Sequence, residues 1–217
     1  MDISTSRGRE REANLGADAY FSDQYFELPQ LLSQTQQIHE IHKLNPKSIL
    51  EIGPGNGFTS SFLKRAGYEV VTVDINPALK PDICAPLHEL KQHLAGQKFD
   101  LVVCCEVLEH MPWDEFRSNV RYLSDAGNRL FMTLPNYKRA FGVGALIKFP
   151  WLPRIPIGAY VNIKAPKTLE GTAHFWEVGS YNYCTKKAIV AELKRLYSSV
   201  STGQFAFNPY HLSFYAV

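Results

Sequence analysis

The most constraining stretch of this chain is Ile49-Leu50-Glu51-Ile52-Gly53-Pro54-Gly55-Asn56-Gly57-Phe58, an apolar run that breaks into three alternating glycines. The run reads as a buried strand, and the glycines allow positive φ and close approach of a ligand to the backbone. A strand that turns through glycines into a helix marks the first unit of an open, doubly wound sheet, where ligands settle at the carboxyl ends of the strands. The spacing is Gly-x-Gly-x-Gly, with Phe58 where a dinucleotide fingerprint needs its third glycine, so a nicotinamide cofactor is disfavoured.

Strand-like and helix-like segments alternate along the rest of the chain. A helix is predicted from near Pro29 to near Asn45-Pro46, and further helices over 58–66, 87–94, 113–123 and 185–196. Strands are predicted at 48–52, 69–74, 101–105 and 129–134, with a short element at Asp82-Ile83 and C-terminal strands around 204–207 and 212–217. The runs VVTVD and LVVCC are nearly all apolar, as strands covered on both faces are. Alternation of this kind argues a largely parallel sheet with helices on both sides.

Two segments fall outside the pattern. Residues 1–19 lack hydrophobic periodicity and are expected to form a flexible tail, or one that orders only over a ligand, ahead of a domain spanning 20–217. Residues 136–183, rich in Phe, Trp, Tyr, Pro and Gly, are too long for an ordinary connection and are expected to form a lid. In it, Phe141, Phe149, Trp151, Tyr160, Phe175, Trp176, Tyr181 and Tyr183 offer aromatic surface to close over an apolar or planar acceptor.

The 217 residues suffice for one sizeable domain, and 45% apolar with 20% charged residues is ordinary globular usage. The net charge of +2 gives no whole-molecule field for nucleic acid. Cys84, Cys104, Cys105 and Cys184 fit neither a disulfide framework nor zinc spacing and read as reduced, buried thiols. The N-terminus has no apolar signal core, and 141–163 is interrupted by Lys148, Pro150, Pro153, Arg154 and Pro156, so a cytoplasmic protein without a membrane span is the default expectation.

Glu51-x-Gly53-x-Gly55-x-Gly57 resembles the first motif of class I S-adenosylmethionine-dependent methyltransferases, and their later landmarks follow in order over 48–136. The resemblance implies a Rossmann-like three-layer α/β sandwich whose seven-stranded sheet is mostly parallel with its last strand antiparallel. It also implies S-adenosylmethionine as methyl donor and S-adenosylhomocysteine as product. On this resemblance the turn backbone at Gly53, Gly55 and Gly57 lies along the methionine part, and Glu51 helps hold its ammonium. Asp74, with Ile75 beside it, takes the ribose hydroxyls. Pro81-Asp82-Ile83-Cys84 resembles the adenine-binding element, with Asp82 on the amino group and Ile83 against the ring, though only seven residues separate Asp82 from Asp74. Cys105 and Glu106 match the fourth-strand exit, and Thr133-Leu134-Pro135-Asn136 the fifth.

Methyl transfer to a hydroxyl gains from a positioned base. His174, in Gly171-Thr172-Ala173-His174-Phe175-Trp176-Glu177, is the first candidate; the segment resembles the Gly-Thr-His-x-Trp stretch of ubiquinone-pathway O-methyltransferases, with Ala173 inserted. That resemblance favours oxygen as the acceptor atom. His110, after the fourth strand, is the second candidate. Glu106, Glu109 and His110 also reproduce the residue types of that pathway's metal-binding grouping, although the same run occurs in methyltransferases without a metal, and no metal site is assigned. The acceptor is expected to be a small molecule, apolar or aromatic in part. A nucleic-acid enzyme would show Asn/Asp-Pro-Pro-Tyr/Phe where this chain has Cys105-Glu106-Val107-Leu108, and Asn208-Pro209-Tyr210 reads as a turn. Alternatives are a non-catalytic module that binds S-adenosylmethionine, or a lipid-linked acceptor approached through 141–163.

Overall fold

A computed structural model describes residues 8–151, 155–164 and 168–217. Residues 1–7 of the expected tail, and Pro153, Arg154 and other residues at 152–154 and 165–167 of the expected lid, lie outside the described residues.

The expected sheet forms. Strands β1 (Ser48–Ile52), β2 (Glu69–Asp74), β3 (Ile83–Cys84), β4 (Leu101–Cys105) and β5 (Leu130–Pro135) pair in parallel, and β8 (Val200–Gln204) and β9 (His211–Ala216) complete seven strands in the order β3-β2-β1-β4-β5-β9-β8. The last strand, β9, runs antiparallel to both neighbours. The chain reverses its direction of travel across the sheet between β1 and β4, which opens a crevice at their carboxyl ends.

Alternation along these strands divides the core. Ile49, Val70, Leu101, Val103 and Phe131 point to one face, where Ile41 of α3 (Leu28–Leu44) and Leu63 of α4 (Phe58–Arg65) cover them. Leu50, Val102, Cys104 and Met132 point to the other, against Leu90 and Leu94 of α5 (Leu90–Leu94), Phe116, Val120 and Leu123 of α6 (Phe116–Ala126), and Ile189 and Leu193 of α7 (Lys186–Leu193). Removing a fully buried Leu such as Leu123 from such a layer costs about 2–5 kcal/mol. Among the described residues no helix is long and apolar enough to cross a membrane.

Three local expectations need correction. The strand expected around 204–207 lies at Val200–Gln204, because pairing with β9 ends at Gln204 opposite Leu212 and residues 205–210 make the connection, where Pro209 has no amide to extend the ladder. Cys84 is exposed rather than buried, since β3 is the short edge strand. Within the expected tail Arg9–Asn14 form helix α1, and a 3-10 turn at Ala17–Phe21 leads out of it to α2 (Asp23–Phe26).

The long insertion opens as a separate antiparallel ribbon, β6 (Arg139–Ile147) paired with β7 (Ile155–Ile163). Its return path is held by Trp176, which is buried, donates from Nε1 to the Met111 carbonyl at 2.9 Å, and meets Trp113 and Phe116 edge-on.

Candidate active site

A cavity of about 660 Å³ opens at the crevice between β1 and β4, within the range of small-molecule and cofactor pockets. Glu51, Gly53, Gly55, Asp74, Ile75, Cys105 and Glu106 line it, all singled out in the sequence. Gly53, Gly55 and Gly57 have φ of 69°, 55° and 70°, and a Cβ on Gly53 would meet Val107. Gly57 is not part of the wall; it begins α4.

Asp82 and Ile83 are not in the wall either. Because β3 pairs Val73 with Ile83 and Asp74 with Cys84, Ile83 packs on the core, and the Asp82 carboxylate accepts from the Thr72 amide and hydroxyl (both 2.8 Å) and from Lys64 Nζ (2.9 Å). Desolvation is the largest single influence there and opposes ionisation, but Lys64 and Thr72 together outweigh it and hold the carboxyl below its ordinary value. The chain reaches the cavity just after this strand, where Ala85 donates its amide to the Asp74 carbonyl and Ala85, Pro86 and Leu87 form the wall.

The cavity's carboxylates are costly to ionise. Burial pushes Glu51 up to about 7 against the pull of Ser60 and Lys64, and Glu51 Oε2 is buried with no hydrogen-bond partner among the described residues. Burial also raises Asp74, whose Oδ1 accepts from the Asn76 amide at 2.8 Å. A cationic group beside Glu51 and hydroxyl donors beside Asp74 would satisfy both.

The N-terminal segment supplies one wall: Arg9, Arg11, Glu12, Leu15, Ala19 and Tyr20 line the cavity. It is gripped by Asn76, itself buried, whose Nδ2 donates to the carbonyls of Glu12 (2.9 Å) and Leu15 (2.8 Å). Arg9 pairs with Glu115 at 2.7 Å, and Tyr20 donates to Glu12 at 2.9 Å. Sequence reasoning missed this wall because polar contacts with distant residues leave no periodic signal.

His174 and His110 meet in the same cavity, their rings edge-to-face at 5.0 Å. His174 Nδ1 lies 3.0 Å from Oε1 of the buried Glu177, which also accepts from the Tyr210 hydroxyl at 2.8 Å. Burial pulls His110 down to about 4, with Glu12, 3.7 Å from its Nδ1, opposing, so its imidazole is neutral near pH 7. Burial first, and the Glu106 charge second, push the fully buried Glu109 well up. The grouping that the resemblance suggested is not the one that converges: Glu109, His110 and His174 bring one donor atom each within 4.8 Å, whereas Glu106 turns to His211 at 3.3 Å.

Glu106 itself has φ 55°, a left-handed conformation that a non-glycine residue adopts at a cost and that is common at functional sites. Its partner His211 is buried and bonded through Nδ1 to Ser33 Oγ at 2.7 Å. His211 and Tyr210 both line the cavity and were missed in the sequence. Asn208-Pro209-Tyr210 is a turn as expected, but one that delivers a tyrosine to the site.

Among the described residues, the insertion gives the cavity wall only Ala173 and His174. Phe141, Phe149, Trp151 and Tyr160 are exposed on or beside the ribbon, Tyr181 stacks on Tyr183 outside the cavity, and Phe175 and Trp176 pack against the core.

A methyltransferase domain family matches residues 22–146 of the chain. Ubiquinone biosynthesis O-methyltransferases are among the curated relatives. The one from Proteus mirabilis is 28% identical over 133 residues, covering 46% of this chain and 54% of that protein. The one from Stutzerimonas stutzeri is 27% identical over 153 residues, covering 56% and 65%. The chain thus spans little more than half to about two thirds of these relatives' length. Among solved structures, a SAM-dependent methyltransferase from Archaeoglobus fulgidus superposes with a TM-score of 0.61 at 13% identity, covering 90% of this chain and 97% of that one. Magnesium protoporphyrin IX methyltransferase from Synechocystis PCC 6803 with bound SAM gives 0.56 at 17% identity, covering 100% and 97%. These two likenesses establish a shared fold.

Proposed function

The chain belongs to the methyltransferase domain family, and from that premise we propose that it moves a methyl group from S-adenosylmethionine to a hydroxyl of a small-molecule acceptor. The observation that carries the reading is one cavity wall holding both a set of groups suited to that donor and a histidine fixed by a carboxylate.

The partnerless Glu51 oxygen suits the donor's ammonium, Asp74 suits its ribose hydroxyls, and Ala85, Pro86 and Leu87, rather than Asp82 and Ile83, suit the adenine side. When bound, the donor supplies an electrophilic methyl on a sulfonium. Glu177 Oε1 accepts a hydrogen bond from the Nδ1–H of His174, which sets Nε2 as the basic ring nitrogen. With the donor bound, Nε2 would take the proton that the acceptor's hydroxyl loses on methylation, S-adenosylhomocysteine being the leaving group. Neutral His110 packs the ring in place. Glu106 is a second acceptor-side group: Ser33 donating to His211 Nδ1 directs the Nε2 proton of His211 to the Glu106 carboxylate. Its neighbour Glu109, held well above the ordinary carboxylate range by burial and by the Glu106 charge, hydrogen-bonds to Glu106 and secures it in the wall.

Transfer from methyl-labelled donor into a panel of hydroxylated acceptors tests the reading. His174→Ala lowers kcat by about 10²–10⁴ while affinity for S-adenosylhomocysteine, measured by calorimetry, stays unchanged. Tight S-adenosylhomocysteine binding with no transfer to any acceptor would favour the non-catalytic module instead.

A further inference from the structure

We propose that the outer face of the β6–β7 ribbon docks the protein on a bilayer surface containing anionic lipids. The inference stands apart from the proposed chemistry and rests on the ribbon's two faces. In this antiparallel register, Phe141 opposes Val161, Val143 opposes Ala159, and Arg139 opposes Ile163, so these side chains share one face. That face is in solvent: Val143 is 77% exposed, Val161 62% and Phe141 60%. Gly142, Gly144 and Gly158 occupy the opposite face, where a Cβ on any of them would strike Ala206 or Phe207. Asn162 exchanges hydrogen bonds with Gln204, and Asn136 donates to Asn162, so the ribbon is tied down on its small-residue face with its apolar face outward.

An apolar face of this kind marks an interaction site. Its charge selects the partner. Between Asp125 and Glu170 the sequence has no Asp or Glu, while Lys138, Arg139, Lys148 and Lys164 are exposed in and beside the ribbon. A second copy paired by a two-fold axis would bring these cations toward their own images, whereas an anionic surface would attract them. Trp151, 93% exposed beside Phe149 and Lys148, is the side chain that sits best between headgroup and acyl chain. The ribbon leaves β5 at its carboxyl end, the edge of the sheet where the cavity opens, so docking would present the cavity's surroundings to the membrane.

Co-sedimentation of the full chain with phosphatidylcholine vesicles, with and without phosphatidylglycerol, tests this. Binding is expected with phosphatidylglycerol only, and is expected to weaken as salt rises. Val143→Ser/Trp151→Ser/Val161→Ser and, separately, Lys148→Glu/Lys164→Glu are each expected to lower partitioning about tenfold or more. Both variants are required to keep the wild-type circular dichroism and melting temperature; their changes lie on exposed side chains. Absence of binding by the folded wild type overturns the proposal, as does binding that neither variant weakens. Concentration-dependent self-association, lost in the serine variant and unaccompanied by vesicle binding, would assign the face to a second copy and equally overturn it.

Discussion

The N-terminal segment and the aromatic insertion exchange the roles that their compositions suggest. The first, polar and aperiodic, builds a wall of the cavity; the second, aromatic and long, gives the wall only Ala173 and His174 among the described residues and turns its ribbon outward. The difference lies in partners rather than hydrophobicity. Glu12 and Leu15 offer carbonyls to one buried asparagine side chain, which fixes the backbone at a specific height over the site. The ribbon's apolar side chains alternate with glycines, so Phe141, Val143 and Val161 fall on the face that the glycine contacts turn away.

The sharpest way to break this comparison is to release the N-terminal segment without touching the cavity. Asn76→Ala removes both bonds to the segment, together with the one its Oδ1 accepts from the Ala78 amide, and leaves two carbonyls less satisfied, a loss of about 1–3 kcal/mol for a buried polar group. If that segment is a true wall, the loss appears in ligand binding. Calorimetry should then find S-adenosylhomocysteine affinity lower by about 5- to 100-fold, the equivalent of that energy. Unchanged affinity in a folded variant would reduce the segment to a surface decoration.

Legibility from sequence follows the same division. Apolar periodicity and the glycine turn carry the sheet order and bring Glu51, Asp74, Cys105 and Glu106 to one cavity, because backbone pairing alone positions them. His174 and His110 were legible as residue types. Glu177 lies only three residues after His174, but its pairing with Nδ1 shows only once the turn is folded, and Tyr210 reaches the same carboxylate across 33 positions, which no local pattern encodes. Asp82 is held outside the cavity wall for a local reason: its neighbours Thr72 and Lys64 offer its carboxylate three donors. His211 and Ser33 meet across 178 positions of sequence, beyond the reach of any motif.

A smaller effect sharpens what the N-terminal wall encloses. Glu51 is pushed up to about 7 in the unliganded protein, so at pH 6 it is mostly protonated and at pH 8 mostly ionised. A bound ammonium stabilises the carboxylate, so association below pH 7 must release a proton, and affinity rises with pH through 7 and then levels. S-adenosylhomocysteine should bind about tenfold more weakly at pH 6 than at pH 8. Glu51→Gln should be weaker throughout and flat over this window. A wild-type affinity independent of pH would mean that Glu51 does not meet the ammonium.

The smallest expected effect belongs to the other member of the comparison. Val143 and Val161 lie on the ribbon's outer face, opposite the glycines that contact Ala206 and Phe207, and neither lines the cavity. Replacing both with serine removes apolar surface that water already reaches, so neither packing nor the cavity wall changes. Substitutions of this kind usually stay within about 0.5 kcal/mol in stability. S-adenosylhomocysteine affinity should accordingly match the wild type within about twofold, the same energy read as binding. A larger loss would mean that the ribbon swings over the cavity when ligand is bound, restoring the lid that its aromatic composition first suggested and erasing the contrast with the N-terminal wall.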